Sequence, residues 1–338
     1  MNEKKPNDNT INPENIHCLK NITIDSYALM GLDNSICIFK SINEILYLIF
    51  SDINLSIICF DLNDDKKIIE IRNAHNNDIT NYRHCLDKKH KRDLLLSLSF
   101  EDNNIKIWQV NDWRCLADLQ NVYTAGYLKS SCFLNDTNDI YIITSNSGET
   151  DLIGPIKIYD LNGNYIKEMK DSNDDTIFID TFYDNKISKY FIITGNNGYI
   201  KTHNYISNDL YLIYKDSKNV YDHTSIIAYN DEDGAKIIES CGDGNIRIWD
   251  FHSTNLIKKI KASNGFIYSI CLWDNNHLFV ACRDKKIKLI SLEEEIIKKE
   301  LPGYNKDVVT IKIVNHCQYG KCLLSKGKYD EVIKIWII

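Results

Sequence analysis

The chain has 338 residues, 43% of them apolar and 26% charged, which is enough to bury a large core. Its formal charge of −7 argues against a generic grip on nucleic acid, which needs concentrated Lys and Arg. No window approaches the roughly 18 apolar residues of a membrane span, and the eleven cysteines, an odd count without paired spacing, read as free thiols in a reducing, cytoplasmic compartment.

Residues 1–15 (MNEKKPNDNTINPEN) are polar throughout, with no secretory apolar stretch, and are expected to form a disordered tail. From residue 16 to 338 the chain reads as one domain of repeats. Seven short strands end alike: Ser56–Asp61, Asn104–Gln109, Pro155–Asp160, Tyr199–Asn204, Asn245–Asp250, Lys286–Ser291 and Val332–Ile337. Their large residues are Phe60, Trp108, Tyr159, His203, Trp249, Ile290 and Trp336, spaced by 48, 51, 44, 46, 41 and 46 residues. A period in the forties with this ending marks the blades of a propeller.

Each unit supplies four short strands. In the unit ending at Trp249, Leu210–Tyr214 reads as an outer strand and Thr224–Tyr229 as one packed on both faces. Lys236–Cys241 and Asn245–Phe251 follow, joined by Gly242-Asp243-Gly244, a turn that supplies positive-φ positions. Two marks recur with the blade period. One is an acid or amide six places before the large residue: Asp102, Asn197, Asp243, Asp284, Asp330 and, weakly, Asn54. The other is a bulky residue followed by Asp or Asn at the end of the inner strand, as in Leu86-Asp87, Leu134-Asn135, Tyr183-Asp184 and Tyr229-Asn230. The first blade starts at Ser35–Lys40, and the chain stops after the third strand of the last blade. A segment within Ile16–Leu29 is therefore expected to supply the missing outer strand and close a seven-bladed, all-β ring.

On these residues the chain resembles the WD40 repeat family of β-propellers across about residues 16–338, most clearly in the units ending at Trp108, Trp249 and Trp336. The family's Gly-His pair survives as Ala74-His75, with Pro302-Gly303-Tyr304 as a decayed copy. The resemblance implies a hydrogen-bonded network of His75, Asp102 and Trp108 with Ser97 or Ser99, absent from blades without the His. It also implies a non-enzymatic scaffold that binds a protein or peptide, as a single ring within a complex.

Motifs for chemistry are weak. Asp102, Asp243, Asp284 and Asp330 are spread by the repeat around a rim, whereas catalysis needs acids converging in one pocket. His84-Cys85 and His316-Cys317 with Cys322 lack the spacing of a zinc site. Asp61-Leu62-Asn63-Asp64-Asp65 opens like a calcium loop, but Lys66 stands where Gly is needed. No catalytic residue, cofactor or metal site is assigned. A nucleic-acid or cytoskeletal adaptor, and a propeller-based hydrolase, are the alternative readings.

In the resembled family the turn before the inner strand and the hairpin holding the turn acid share one face. Residues that break the repeat there are the candidate partner contacts: Glu101, Tyr127, Phe266, Tyr268, Arg283, Asp307 and Tyr329. Aromatics and Arg dominate binding energy at interfaces.

Overall fold

The computed structural model describes residues 11–23, 35–124, 126–136, 139–148, 153–216, 223–302 and 304–338. The first strand in the chain, β1, runs His17–Thr23. Blade 1 comprises β2 (Cys37–Lys40), β3 (Leu46–Ser51), β4 (Ile57–Asp61) and β5 (Lys66–Ile71), and blade 2 comprises β6 (Ile79–Asp87), β7 (Arg92–Ser99), β8 (Asn104–Gln109) and β9 (Arg114–Leu119). Blade 3 follows with β10 (Tyr127–Asn135), β11 (Ile140–Ser147), β12 (Lys157–Asp160) and β13 (Tyr165–Glu168). Blade 4 has β14 (Thr176–Asp184), β15 (Lys189–Asn196), β16 (Tyr199–Asn204) and β17 (Asp209–Tyr214). Blade 5 has β18 (His223–Asp231), β19 (Gly234–Cys241), β20 (Asn245–Asp250) and β21 (Leu256–Lys261). Blade 6 has β22 (Ile267–Asp274), β23 (His277–Cys282), β24 (Ile287–Ser291) and β25 (Ile296–Leu301). The last sheet orders β1 beside β28 (Val332–Ile337), then β27 (Gly320–Gly327) and β26 (Val308–His316). The fold is thus seven four-stranded antiparallel blades in a closed ring. Leu210–Tyr214 forms the outer strand of blade 4, so a sequence unit straddles two blades.

The repeated Ile-x-Ile ending follows from where these strands sit. A blade is covered on both faces by its neighbours, so its third strand must be apolar on both. In β8, Ile105 and Ile107 are fully buried, and Trp108 nearly so. The core is accordingly divided into wedges, each filled from two blades. One joins Leu96, Leu98 and Ile105 of blade 2 to Leu128, Phe133 and Ile142 of blade 3. Another joins Ile22 and Ile333 of blade 7 to Ile36, Leu46 and Leu48 at blade 1.

Closure is made by β1 against β28, with His17 opposite Ile337 and Thr23 opposite Val332, across one irregularity between Cys18 and Lys20. Of the residues expected to form a tail, 1–10 lie outside the described residues, and 11–15 are placed against the ring. Pro13–Asn15 form a 3-10 turn capped by the Asn12 side chain, which accepts from Glu14 N at 3.1 Å. Ile11 packs on the wedge between blades 6 and 7, Ile16 is buried, and Lys299 donates to the Pro13 and Ile16 carbonyls. Lys299 therefore fastens the closing strand.

The Asp-or-Asn mark at the inner-strand end has two jobs. Asparagines reach the neighbouring blade: Asn135 Nδ2 donates to the Leu86 carbonyl and Asn230 Nδ2 to the Tyr183 carbonyl, both at 3.0 Å. Aspartates cap their own turn: Asp184 accepts from Lys186 N and Ile187 N, and Asp274 from Asn276 N and His277 N.

Because β1 is the missing edge, removing residues 1–10 is expected to leave the melting temperature unchanged, whereas removing 1–23 lowers it by 10 °C or more, roughly the effect of several kcal/mol on a domain of this size. Equal melting temperatures for the two truncations overturn this account of closure.

Candidate docking face

The loops before the inner strands and the turn-acid hairpins do share one face, because hydrogen bonds tie them blade by blade. Val122 N donates to the Asn103 carbonyl, Ala262 N to Gly244, Arg283 N to Phe266 and Lys328 N to Asp307, at 3.2, 3.0, 2.9 and 2.7 Å. In blade 5 the hairpin needs glycine at one place: Gly244 has φ +74°, and a Cβ there would meet the Ser263 carbonyl oxygen at 2.1 Å. The turn acids stay in their own hairpins. Asp243 accepts from Asn245 N, Asp284 from Lys286 N and Asp330 from Val332 N. Asp102 differs, accepting from Asn76 N and from the backbone and side chain of Asn77 in the preceding loop. Burial opposes its ionisation, but these donors hold its carboxyl below the usual value.

Under this face lies the expected network, with Ser97 as its hydroxyl. His75 Nε2 and Ser97 Oγ are 2.7 Å apart, and Trp108 Nε1 donates to the same oxygen at 2.9 Å. His75 Nδ1 lies 4.0 Å from Asp102, too far for a hydrogen bond. Burial, with help from the Lys106 charge, pushes the His75 pKa down to about 4, so the ring is neutral.

The network was expected only where the His survives, but two tyrosines take its place. In blade 7, Tyr304 Oη and Trp336 Nε1 each lie 2.7 Å from Ser325 Oγ. In blade 3, Tyr123 Oη lies 3.1 Å from Thr144 Oγ1 and donates to the Thr144 and Pro155 carbonyls. Blade 5, the most regular in sequence, departs furthest. Glu239 occupies the hydroxyl position, opposite Arg247. Trp249 Nε1 has no hydrogen-bond partner among the described residues. Arg247 is fully buried, bonding Asp216 at 2.9 Å and Asp243 at 2.5 Å, with Glu239 at 3.7 Å.

The seven candidate contacts fall into two groups. On blades 2 and 3, Tyr127 stacks on Phe100 at 5.0 Å beside the exposed Glu101. On blades 6 and 7, four of the other five are linked by contacts, and Tyr329 lies on the same hairpin as Lys328, whose backbone N–H donates to the Asp307 carbonyl. Phe266 and Tyr268 rings lie 5.1 Å apart, Tyr268 Oη donates to Asp307 at 2.9 Å, and the Arg283 backbone N–H donates to the Phe266 carbonyl. Burial and the Asp307 carboxylate push the Tyr268 hydroxyl up to about 12. Tyr329 is 47% exposed beneath the Lys328 ammonium, which lies 5.2 Å from its ring centre. Its φ of +53° is in the left-handed region, where a bulky side chain is strained. Sequence reasoning missed Lys328 and Phe100, which neither break the repeat nor sit beside a turn acid.

Among the described residues no group of three His, Cys, Asp or Glu side chains could hold a metal. His316 is engaged by the Leu62 carbonyl at 3.1 Å and by Gln318 N, which donates to Nδ1 at 3.1 Å. Asp61 caps its own turn through Asn63 N. The opposite face carries a cavity of about 670 Å³ between blades 2, 3 and 4, lined by Asp87, His90, Tyr141, Asp160 and Tyr190 among others. Two of its acids serve local turns: Asp87 holds His90 and Arg92, and Asp160 holds Asn162 and Asn164.

Three outcomes test this description. Trp249→Ala is expected to cost roughly 3–5 kcal/mol. Trp249→Phe should cost less than Trp108→Phe, which also breaks a buried hydrogen bond of about 1 kcal/mol. Equal costs in chemical denaturation count against the difference between the two blades. For His75 the folded pKa lies below the unfolded one, so the unfolded state binds the proton first. The stability is present above pH 6.5 and is lost as pH falls to about 4. On the order of 3 kcal/mol is expected to disappear over that window in the wild type, and clearly less in His75→Gln. Parallel pH profiles overturn the assignment.

A model of the WD40 family (WD domain, G-beta repeat) matches residues 217–250 and 254–291, which hold the units ending at Trp249 and Ile290. No curated protein matches the chain. Those two repeats, set in a closed ring of seven four-stranded blades whose polar networks recur from blade to blade, make the chain a divergent member of the WD40 repeat family of β-propellers.

Proposed function

We propose that this propeller is a non-catalytic scaffold that docks a protein or peptide on the turn-acid face, across blades 6 and 7. Propellers of this family commonly mediate protein–protein interaction, and rigid strands carrying free loops suit that role. The observation that carries the reading is Tyr329. A tyrosine held at φ +53° and left 47% exposed gives the fold little, so its ring is available to a partner. The same two blades carry Phe266, Tyr268, Arg283 and Asp307, linked to one another, and aromatics and Arg are the residue types that anchor interfaces. Glu101 and Tyr127 extend the surface on blades 2 and 3. The described residues contain no helix long and apolar enough to cross a membrane. We place the protein in the cytoplasm on its free thiols, three of them exposed.

The test is a pull-down from cell extract with wild type and with Phe266→Ala/Arg283→Ala/Tyr329→Ala, quantified by mass spectrometry after matching their melts. Loss of a specific set of proteins with the triple variant is expected. Tyr329→Gly alone should keep or raise the melting temperature, since glycine relieves the strain, yet weaken capture of the same set. Full retention of every partner by the triple variant overturns the placement on this face.

A further inference from the structure

An outer strand has one paired edge and one edge open to solvent, and proteins blunt such edges with charge, Lys above all. Six of the seven outer strands here do so. Each contains a Lys or Arg: Lys20 in β1, Lys66 and Lys67 in β5, Arg114 in β9, Lys167 in β13, Lys258 and Lys259 in β21, and Lys298 and Lys299 in β25. Outer strand β17 of blade 4 contains neither. Between Asp209 and Lys215 it runs Leu210-Tyr211-Leu212-Ile213-Tyr214 without a charge, and Tyr211 and Ile213 are 37% and 45% exposed. Among the described residues β17 pairs with β16 alone.

The order of residues in this strand also singles out an occupant. Antiparallel pairing of β17 with a second β17 about a two-fold axis at Leu212 sets Asp209 opposite Lys215 twice, once at each end. The same register sets Leu210 opposite Tyr214, exposed Tyr211 opposite exposed Ile213, and Leu212 opposite itself. Aromatic and β-branched residues form favourable cross-strand pairs, and opposite charges at the ends add to them. A two-fold interface requires this self-complementarity. The Asp209 carboxylate already meets Lys170 at 3.2 Å, an exposed pair that contributes little and can be exchanged.

We propose that β17 is a dimerisation edge, joining blade 4 of two copies of this chain into one continuous eight-stranded sheet. This replaces the expectation of a single ring, and it leaves the turn-acid face of both copies open. A contact of one short strand is smaller than a standard interface, so the dimer is weak and concentration-dependent.

Sedimentation equilibrium of the full chain between about 10 and 300 µM tests it, the range in which a weak dimer populates. The wild type is expected to pass from monomer to dimer. Ile213→Lys, which installs the missing edge lysine, should remain monomeric with an unchanged melt. Asp209→Lys should weaken the dimer by about tenfold, since it faces Lys215 with a like charge at both ends. Asp209→Lys/Lys215→Asp should restore it, which a merely structural role of Asp209 would not do. A wild type that stays monomeric at the highest concentration overturns the proposal and leaves the edge to a foreign strand. A dimer indifferent to Ile213→Lys, or not rescued by the charge exchange, overturns it as well.

Discussion

The pairing of β1 with β28 is the constraint on which the rest of the ring depends. A linear row of seven blades has six wedges between sheets, while a closed ring has seven. The extra wedge is where Ile22 and Ile333 meet Ile36, Leu46 and Leu48. Without the N-terminal strand, blade 7 would have a bare edge at β28, and this wedge would lose one wall. The fastening is polar as well as apolar, because Lys299 from blade 6 holds the backbone at Pro13 and Ile16. His316 reaches across to the Leu62 carbonyl from the other side.

Inside the blades a hydroxyl organises the contact between strand and loop. Ser97 and Ser325 each serve two groups, one from the loop and one from a tryptophan. The loop group can be an imidazole or a phenol, since either puts a polar atom at the same distance. Where the hydroxyl gives way to Glu239, that economy is lost. Arg247 is buried among three carboxylates, and Lys259 joins it through Asp216 at 2.6 Å. Two cations against three acids nearly balance, which is what allows such charges to be buried at all.

Much of the fold was legible in the sequence because apolar period and turn chemistry are written in single residues. The seven strand endings and the closing strand can be read that way, whereas the contact of His75 and Trp108 with a strand serine was implied only by the family resemblance, which left Ser97 and Ser99 both open. The contacts among Phe266, Tyr268, Arg283 and Asp307 were foreseen only as a shared face. They depend on loop paths on blades 6 and 7 that no period records. The role of Tyr123 was invisible because a consensus counts letters and not donors. The span 11–15 misled for a different reason. Its composition is polar, but the single apolar Ile11 finds a wedge to enter. The Asp-or-Asn mark was seen as punctuation, though its division of labour rests on the amide hydrogens that a carboxylate lacks.

One feature of the third strands bears on how such a chain drifts over evolutionary time. Two places before the large residue, six blades carry a cation: Lys106, Lys157, Lys201, Arg247, Lys288 and Lys334. Four of them hold the loop leading into their own blade, through the Val122, Asp171 and Ala262 carbonyls and the Asp216 carboxylate. Lys334 lies under the Tyr304 ring of another. These bonds, Asp216 apart, ask for a backbone carbonyl or a ring, not for a particular loop sequence. The loops are thus moored from beneath by the repeat itself, and their outward residues are left free to vary. Natural selection can retune such a surface for a new partner one substitution at a time, without first having to re-engineer the platform that carries it.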